Sequence, residues 1–171
     1  MAIINTVSTR LQLALTTWPT GRGWMHTIAI TSGSTILAGM VATATGFVNP
    51  IEDVKRPTAL KVLSAFIFPA LLEELFWRAA ALPHPSIQPI TAVHAVPVLM
   101  LHVLWHPVIG ELEIWPRGRV TFSDPRFLAL AVIVLGGATA SYIVTGGSVY
   151  AAAFAHGVPV ALWIDFFGGL V

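Results

Sequence analysis

The chain has 171 residues, 56% of them hydrophobic and only 10% charged, with a formal net charge of +1 and no cysteine. Soluble domains carry about 25% charged residues, so this composition excludes an ordinary water-soluble globule and describes an integral membrane protein. The small net charge gives no footing for nucleic acid, and the missing cysteines exclude disulfides, thiolate nucleophiles and cysteine metal ligands.

The first residues, 1–15, lack a charged leader and a small-residue cleavage site after an apolar core. They read as part of an interfacial segment, about 1–22, rather than a signal peptide. Five stretches then approach the roughly 20 apolar residues that a spanning helix requires: about 27–48, 58–82, 90–109, 126–144 and 148–170. Polar punctuation separates them, as the turn-rich link 49–57, the break Pro83-His84-Pro85-Ser86, the charged link 110–125 and the hairpin Thr145-Gly146-Gly147-Ser148. No internal repeat or low-complexity tract interrupts the chain. The expected fold is all-α, a polytopic bundle of about five spanning helices forming one membrane domain over 1–171.

In the first span Ser34, Ala38, Ala42 and Gly46 recur every four residues, a small-residue stripe that lets a neighbouring helix approach closely. Lys55, Arg56, Lys61, Arg117, Arg119 and Arg126 lie in or beside the first and third links. The positive-inside rule therefore favours those links on the cytoplasmic side. Trp115-Pro116 reads as an interfacial anchor, and Trp77, Trp105 and Trp163 as packing or anchoring residues.

The second span carries the most informative feature, Glu73-Glu74-Leu75-Phe76-Trp77-Arg78, two carboxylates and a guanidinium inside an otherwise unbroken apolar run. Charges at that depth cost about 2.5–3.5 kcal/mol each on insertion scales, and where they persist they are usually functional. On a helix Glu74 and Arg78 share a face and can pair, while Glu73 points about 100° away from Glu74 and is left for another task. The other polar groups within the spans are His102 and His106 on the third and His156 on the fifth, with Asp165 near the C-terminal end. Glu73 lies about 13 Å from the Leu82 end of its span, and His156 about 12 Å from Ser148. His106 shares that layer, at about 14 Å, when its helix begins at Pro97, a favourable first helical residue. The expectation is therefore a third helix starting near Pro97, with His94 and Ala95 in its approach loop.

These residues resemble the motifs of the CPBP family, the CAAX prenyl protease and bacteriocin-processing membrane proteins. Glu73-Glu74-Leu75-Phe76-Trp77-Arg78 is similar to its EExxxR signature, and His102-Val103-Leu104-Trp105-His106 to its FxxxH motif. His156-Gly157-Val158-Pro159-Val160 is similar to the last motif, a histidine followed four residues later by Asn or Asp. The resemblance runs from about residue 58 to the end, with two departures: His102 stands for the phenylalanine and Val160 for the Asn or Asp.

The resemblance implies the CAAX protease core fold, a prokaryotic-type inner or plasma membrane, and glutamate-dependent hydrolysis of a peptide bond in a membrane-associated or lipidated peptide. Glu73 and His106 would then activate water and His156 would stabilise the oxyanion, with Glu74, Arg78 and His102 in support. Val160 cannot donate a hydrogen bond, so the oxyanion site is either weaker or completed by another group. No cofactor is expected. Zinc is the minor alternative, because His102 and His106 at i and i+4 could ligate it with His156 and Glu73, although no HExxH is present. The rival function is a non-catalytic membrane protein that uses the same cluster structurally while binding a partner membrane protein, in an immunity or assembly role.

Overall fold

The computed structural model describes residues 2–48, 59–115 and 117–167. Seven helices make up the described chain, and none of these residues forms a strand. α1 spans Ala2–Thr16 and α2 Gly21–Ala44. α3 is a broken rod over 59–80. α4 is Ala92–Gly110, α5 Gly118–Phe122, α6 Pro125–Val144 and α7 Val149–Phe167. Four of these, α2, α4, α6 and α7, are long and apolar enough to cross a membrane. The remaining expected span is α3, and it is not one continuous helix.

The break in α3 has a local cause. Proline at 69 disfavours the helical region for the residue before it, and Phe68 is accordingly extended, at φ −136° and ψ 113°. On either side of the short α-helical piece Leu72–Glu74 the turns widen into π-helix, over Phe66–Leu71 and Leu75–Ala80. In the second of these, for example, Ala81 N–H reaches back five residues to the Phe76 carbonyl at 3.1 Å. Wide turns of this kind are rare and concentrate at functional sites.

Two expectations about helix ends are corrected. α4 begins at Ala92, not near Pro97, so His94 and Ala95 belong to its first turn. The cause is a cap: the Thr91 amide donates to His94 Nδ1 at 3.2 Å, and His94 N–H returns to the Thr91 carbonyl at 3.0 Å. Pro97 falls in the second turn and sacrifices one helical bond. α2 stops at Ala44, so Gly46, at φ 62°, belongs to the turn that follows rather than to the small-residue stripe. The turn-rich link 49–57, with Lys55 and Arg56, lies outside the described residues. The hairpin between α6 and α7 is present, with Gly146 and Gly147 at φ 74° and 101°, a conformation that glycine adopts without strain.

α6 and α7 form the centre. α2 packs on both, α4 packs on α6, and the first half of α3 packs on α7, while α1 lies against the far end of α3. Small residues permit this closeness, as lipid gives helices no hydrophobic reason to associate. Ala151, Ala152, Ala153, Ala155 and Ala161 of α7 are all buried. A methyl group added at Gly157 would sit 2.7 Å from the Phe66 ring, so only glycine lets α3 and α7 meet there.

The pattern of exposure inverts that of a soluble protein. Ile36, Leu37, Met40, Leu63, Leu101 and Leu104 face outward, whereas Glu74, Arg78, His102, His106, Thr139 and His156 are buried. In lipid this is the stable arrangement, with polar groups able to satisfy one another only inside the bundle.

Candidate active site

Glu73, Glu74, Arg78, His102, Thr139 and His156 form one connected polar cluster, with His106 stacked on it, supplied by α3, α4, α6 and α7. Its anchor is Arg78, which has no exposed side-chain surface. Arg78 Nε lies 3.1 Å from Glu74 Oε2, and Nη1 donates to Glu74 Oε1 at 3.2 Å. Nη2 donates to the Leu135 carbonyl at 2.7 Å and to Thr139 Oγ1 at 3.1 Å, which ties the guanidinium to α6. Nη1 also donates to His102 Nδ1.

Each histidine has its tautomer set by a neighbour. A guanidinium can only donate, so His102 Nδ1 is an acceptor and the ring proton sits on Nε2. That Nε2–H donates to Glu73 Oε2 at 2.8 Å. His106 Nδ1 faces the carbonyls of His102 and Val103 at 3.1 and 3.2 Å, which can only accept, so Nδ1 carries hydrogen and Nε2 keeps its lone pair. His156 Nδ1 donates to Glu74 Oε1 at 2.9 Å, which turns Nε2 toward Glu73 Oε2, 4.0 Å away.

The rings are held as firmly as the protons. His102 is sandwiched between the Trp77 indole, at 4.9 Å and 15°, and the His106 ring, at 5.6 Å and 16°. Phe122 and Phe127 meet His106 edge-on at 5.5 and 5.2 Å.

Glu73, His106 and His156 line a cavity of about 860 Å³, whose wall is otherwise mostly apolar and includes Leu135, Val160 and Trp163. The Glu73 side chain retains 17% exposure, whereas the Glu74 and Arg78 side chains have none. Glu73 is thus the carboxylate that a molecule in the cavity can reach. Val160 presents hydrocarbon to the same space, one turn beyond His156.

The structure therefore brings Glu73, His106 and His156 together, but not by the depth argument drawn from the sequence. With α4 starting at Ala92, His106 lies about 21 Å along its helix; the three meet because the helix ends do not share a plane. The nearest partner of Glu73 is His102, which spacing alone suggested to be a packing or supporting residue. Trp115 is also reassigned. It stacks on Phe68 at 6.2 Å and 16° and lines the cavity, instead of standing apart as an interfacial anchor. Trp163 lines the cavity too, while Trp105 is 41% exposed on the outside of the bundle.

Glu73, His102 and His106 offer ligand atoms within 4.8 Å of one another, close enough to consider one metal ion. His102 does not fit such a role. Arg78 occupies His102 Nδ1, so the Nε2 that faces Glu73 bears a proton in place of the lone pair a metal requires.

An all-helical, multi-pass bundle that closes a carboxylate–imidazole cluster around an internal cavity has the build of an intramembrane protease. The chain belongs to the Rce1-like family: the family described as type II CAAX prenyl endopeptidase Rce1-like matches residues 55–161. That stretch holds all of Glu73, Glu74, Arg78, His102, His106, His156 and Val160. No curated protein and no solved structure matches the chain. The protein is accordingly an integral, multi-pass membrane protein of a protease family, working among lipids.

Proposed function

We propose that the protein is a glutamate-dependent intramembrane endopeptidase that hydrolyses a peptide bond in a membrane-associated or lipidated peptide. The observation that carries this reading is Glu73, a carboxylate reachable from an apolar cavity and faced by imidazoles from two other helices. Water held between Glu73 and His106 Nε2 loses a proton to the carboxylate as its oxygen attacks the substrate carbonyl carbon. His156 supports the oxyanion through Nε2–H. Glu74 accepts from Nδ1 of His156 at 2.9 Å, so donation from Nε2 as well calls for the doubly protonated ring. Collapse of the tetrahedral intermediate breaks the C–N bond, and the proton taken by Glu73 passes to the leaving amine. No metal takes part. The apolar wall suits a lipid-level substrate better than a soluble one.

The test is cleavage of a peptide library containing lipidated and membrane-inserted members, by purified protein in liposomes. Cleavage by the wild type that persists in a chelator and is lost in Glu73→Gln is the expected result. Equal cleavage by both proteins overturns the reading.

Val160 favours a second reading, since it places hydrocarbon where the related motif has an amide or acid. In that reading the cluster only braces a bundle that binds a partner membrane protein. Partner capture that survives Glu73→Ala combined with His156→Ala, in a protein without peptidase activity, supports it.

A further inference from the structure

We infer that His102 is a positioning residue for Glu73, a one-proton linker that transmits the fixed orientation of Arg78 to the reactive carboxylate. The inference rests on the peptidase reading above and assigns a role to the residue that departs from the FxxxH pattern. Three observations combine in it. Arg78 is immobilised by Glu74, by the Leu135 carbonyl and by Thr139 on α6. Because Arg78 donates to His102 Nδ1, the ring holds its single proton on the opposite nitrogen, and that proton is aimed at Glu73 Oε2 across 2.8 Å. Trp77 on one face and His106 on the other prevent the ring from turning.

The consequence for Glu73 is directional. Its Oε2 is occupied by His102, which leaves Oε1 for the water. A phenylalanine here would fill the slot between Trp77 and His106, yet it would give Glu73 no donor and leave Arg78 Nη1 without its imidazole acceptor. His102 touches neither substrate nor water, so its effect falls on the chemical step and not on binding.

The experiment uses the full chain in liposomes, with a peptide that the wild type cleaves. His102→Phe keeps the ring stack and removes both hydrogen bonds; His102→Gln restores an acceptor and a donor. A hydrogen bond to a charged group corresponds to roughly a 10- to 100-fold effect, so His102→Phe is expected to lower kcat by that factor with KM nearly unchanged. His102→Gln is expected to recover most of the loss. Wild-type kcat in His102→Phe overturns the inference, as does a His102→Gln no better than His102→Phe.

A measurement on the wild type stands independently of whether the variants fold: the imidazole 15N spectrum of His102 is expected to place the proton on Nε2, and a proton on Nδ1 overturns the linkage. Failure of the peptidase reading is seen elsewhere, in equal cleavage by wild type and Glu73→Gln, so the two outcomes do not coincide.

Discussion

His156 Nδ1 lies 2.9 Å from Glu74 Oε1, and this bond gives the two adjacent glutamates different duties. Glu74 faces inward, where it holds Arg78 and the back of His156. Glu73 looks into the cavity, where the Nε2 edge of the same imidazole stands 4.0 Å away. The short α-helical piece of α3 between its two wide-turned segments thus supplies both the carboxylate that reacts in the proposed chemistry and the one that orients its partner.

Replacing His156 by Ala removes the proposed donor to the oxyanion while leaving Glu73 and His106 in place. The loss of one such donor typically costs 10²–10³ in kcat, or about 2.7–4 kcal/mol. Steady-state kinetics on Glu73-dependent cleavage are expected to show that loss with little change in KM.

Glu74→Gln acts on the framework. It strips the counter-charge from Arg78, whose side chain has 0% exposure. Breaking a buried ion pair by removing one partner costs about 3–5 kcal/mol. The unfolding midpoint in detergent is expected to fall markedly, and more than in Glu73→Gln, whose side chain keeps 17% exposure.

Val160→Asn restores an amide to the cavity wall one turn beyond His156. If the oxyanion lacks a second donor in the wild type, an added one raises kcat by up to about 10²-fold. Unchanged kcat in a folded Val160→Asn protein shows that the transition state does not approach that wall.

Gly157→Ala tests the packing beside the site. The new methyl meets the Phe66 ring at 2.7 Å, and overpacking of this kind costs about 1–3 kcal/mol. A lower unfolding midpoint is expected, and pairing the change with Phe66→Leu is expected to recover part of it.

Stability depends on pH through a group outside the spans. His84 is buried in the link between α3 and α4, where its Nδ1 accepts from Ser86 N–H at 3.3 Å. Burial holds its imidazole below the ordinary value, only partly offset by a backbone hydrogen bond to Gly147. The unfolded chain therefore binds this proton more readily than the folded one. The stabilising contribution is complete above the unfolded value of about 6.5 and declines as pH falls below it toward the folded value. Thermal melts from about pH 7.5 to about 5.5 are expected to show decreasing midpoints, with a shallower slope in His84→Gln.

Much of this arrangement is legible in the sequence, because lipid makes polarity conspicuous. Long apolar runs mark the spans, and Glu73, Glu74 and Arg78 stand out because nothing around them is charged. The family resemblance rests on the same contrast. What escapes notice depends on partners remote in the chain. The tautomer of His102 is set by an arginine 24 residues away on another helix, which no spacing rule contains. The start of α4 at Ala92 depends on His94 serving as a cap, a task usually given to small polar side chains or to glutamate. The interruption at Phe68 hides inside an apolar run because proline is tolerated in membrane helices. Trp115 looks like an anchor from its neighbours in sequence, and only the return of α5 against α4 turns it inward.

Arg78 is gripped from α6 partly by the carbonyl of Leu135, a main-chain atom that no amino-acid replacement can delete. The site is thereby keyed to the path of a backbone more than to the identity of a side chain. Residue 135 can drift among apolar types without disturbing the guanidinium, whereas anything that bends α6 will be felt at once by the charges on α3.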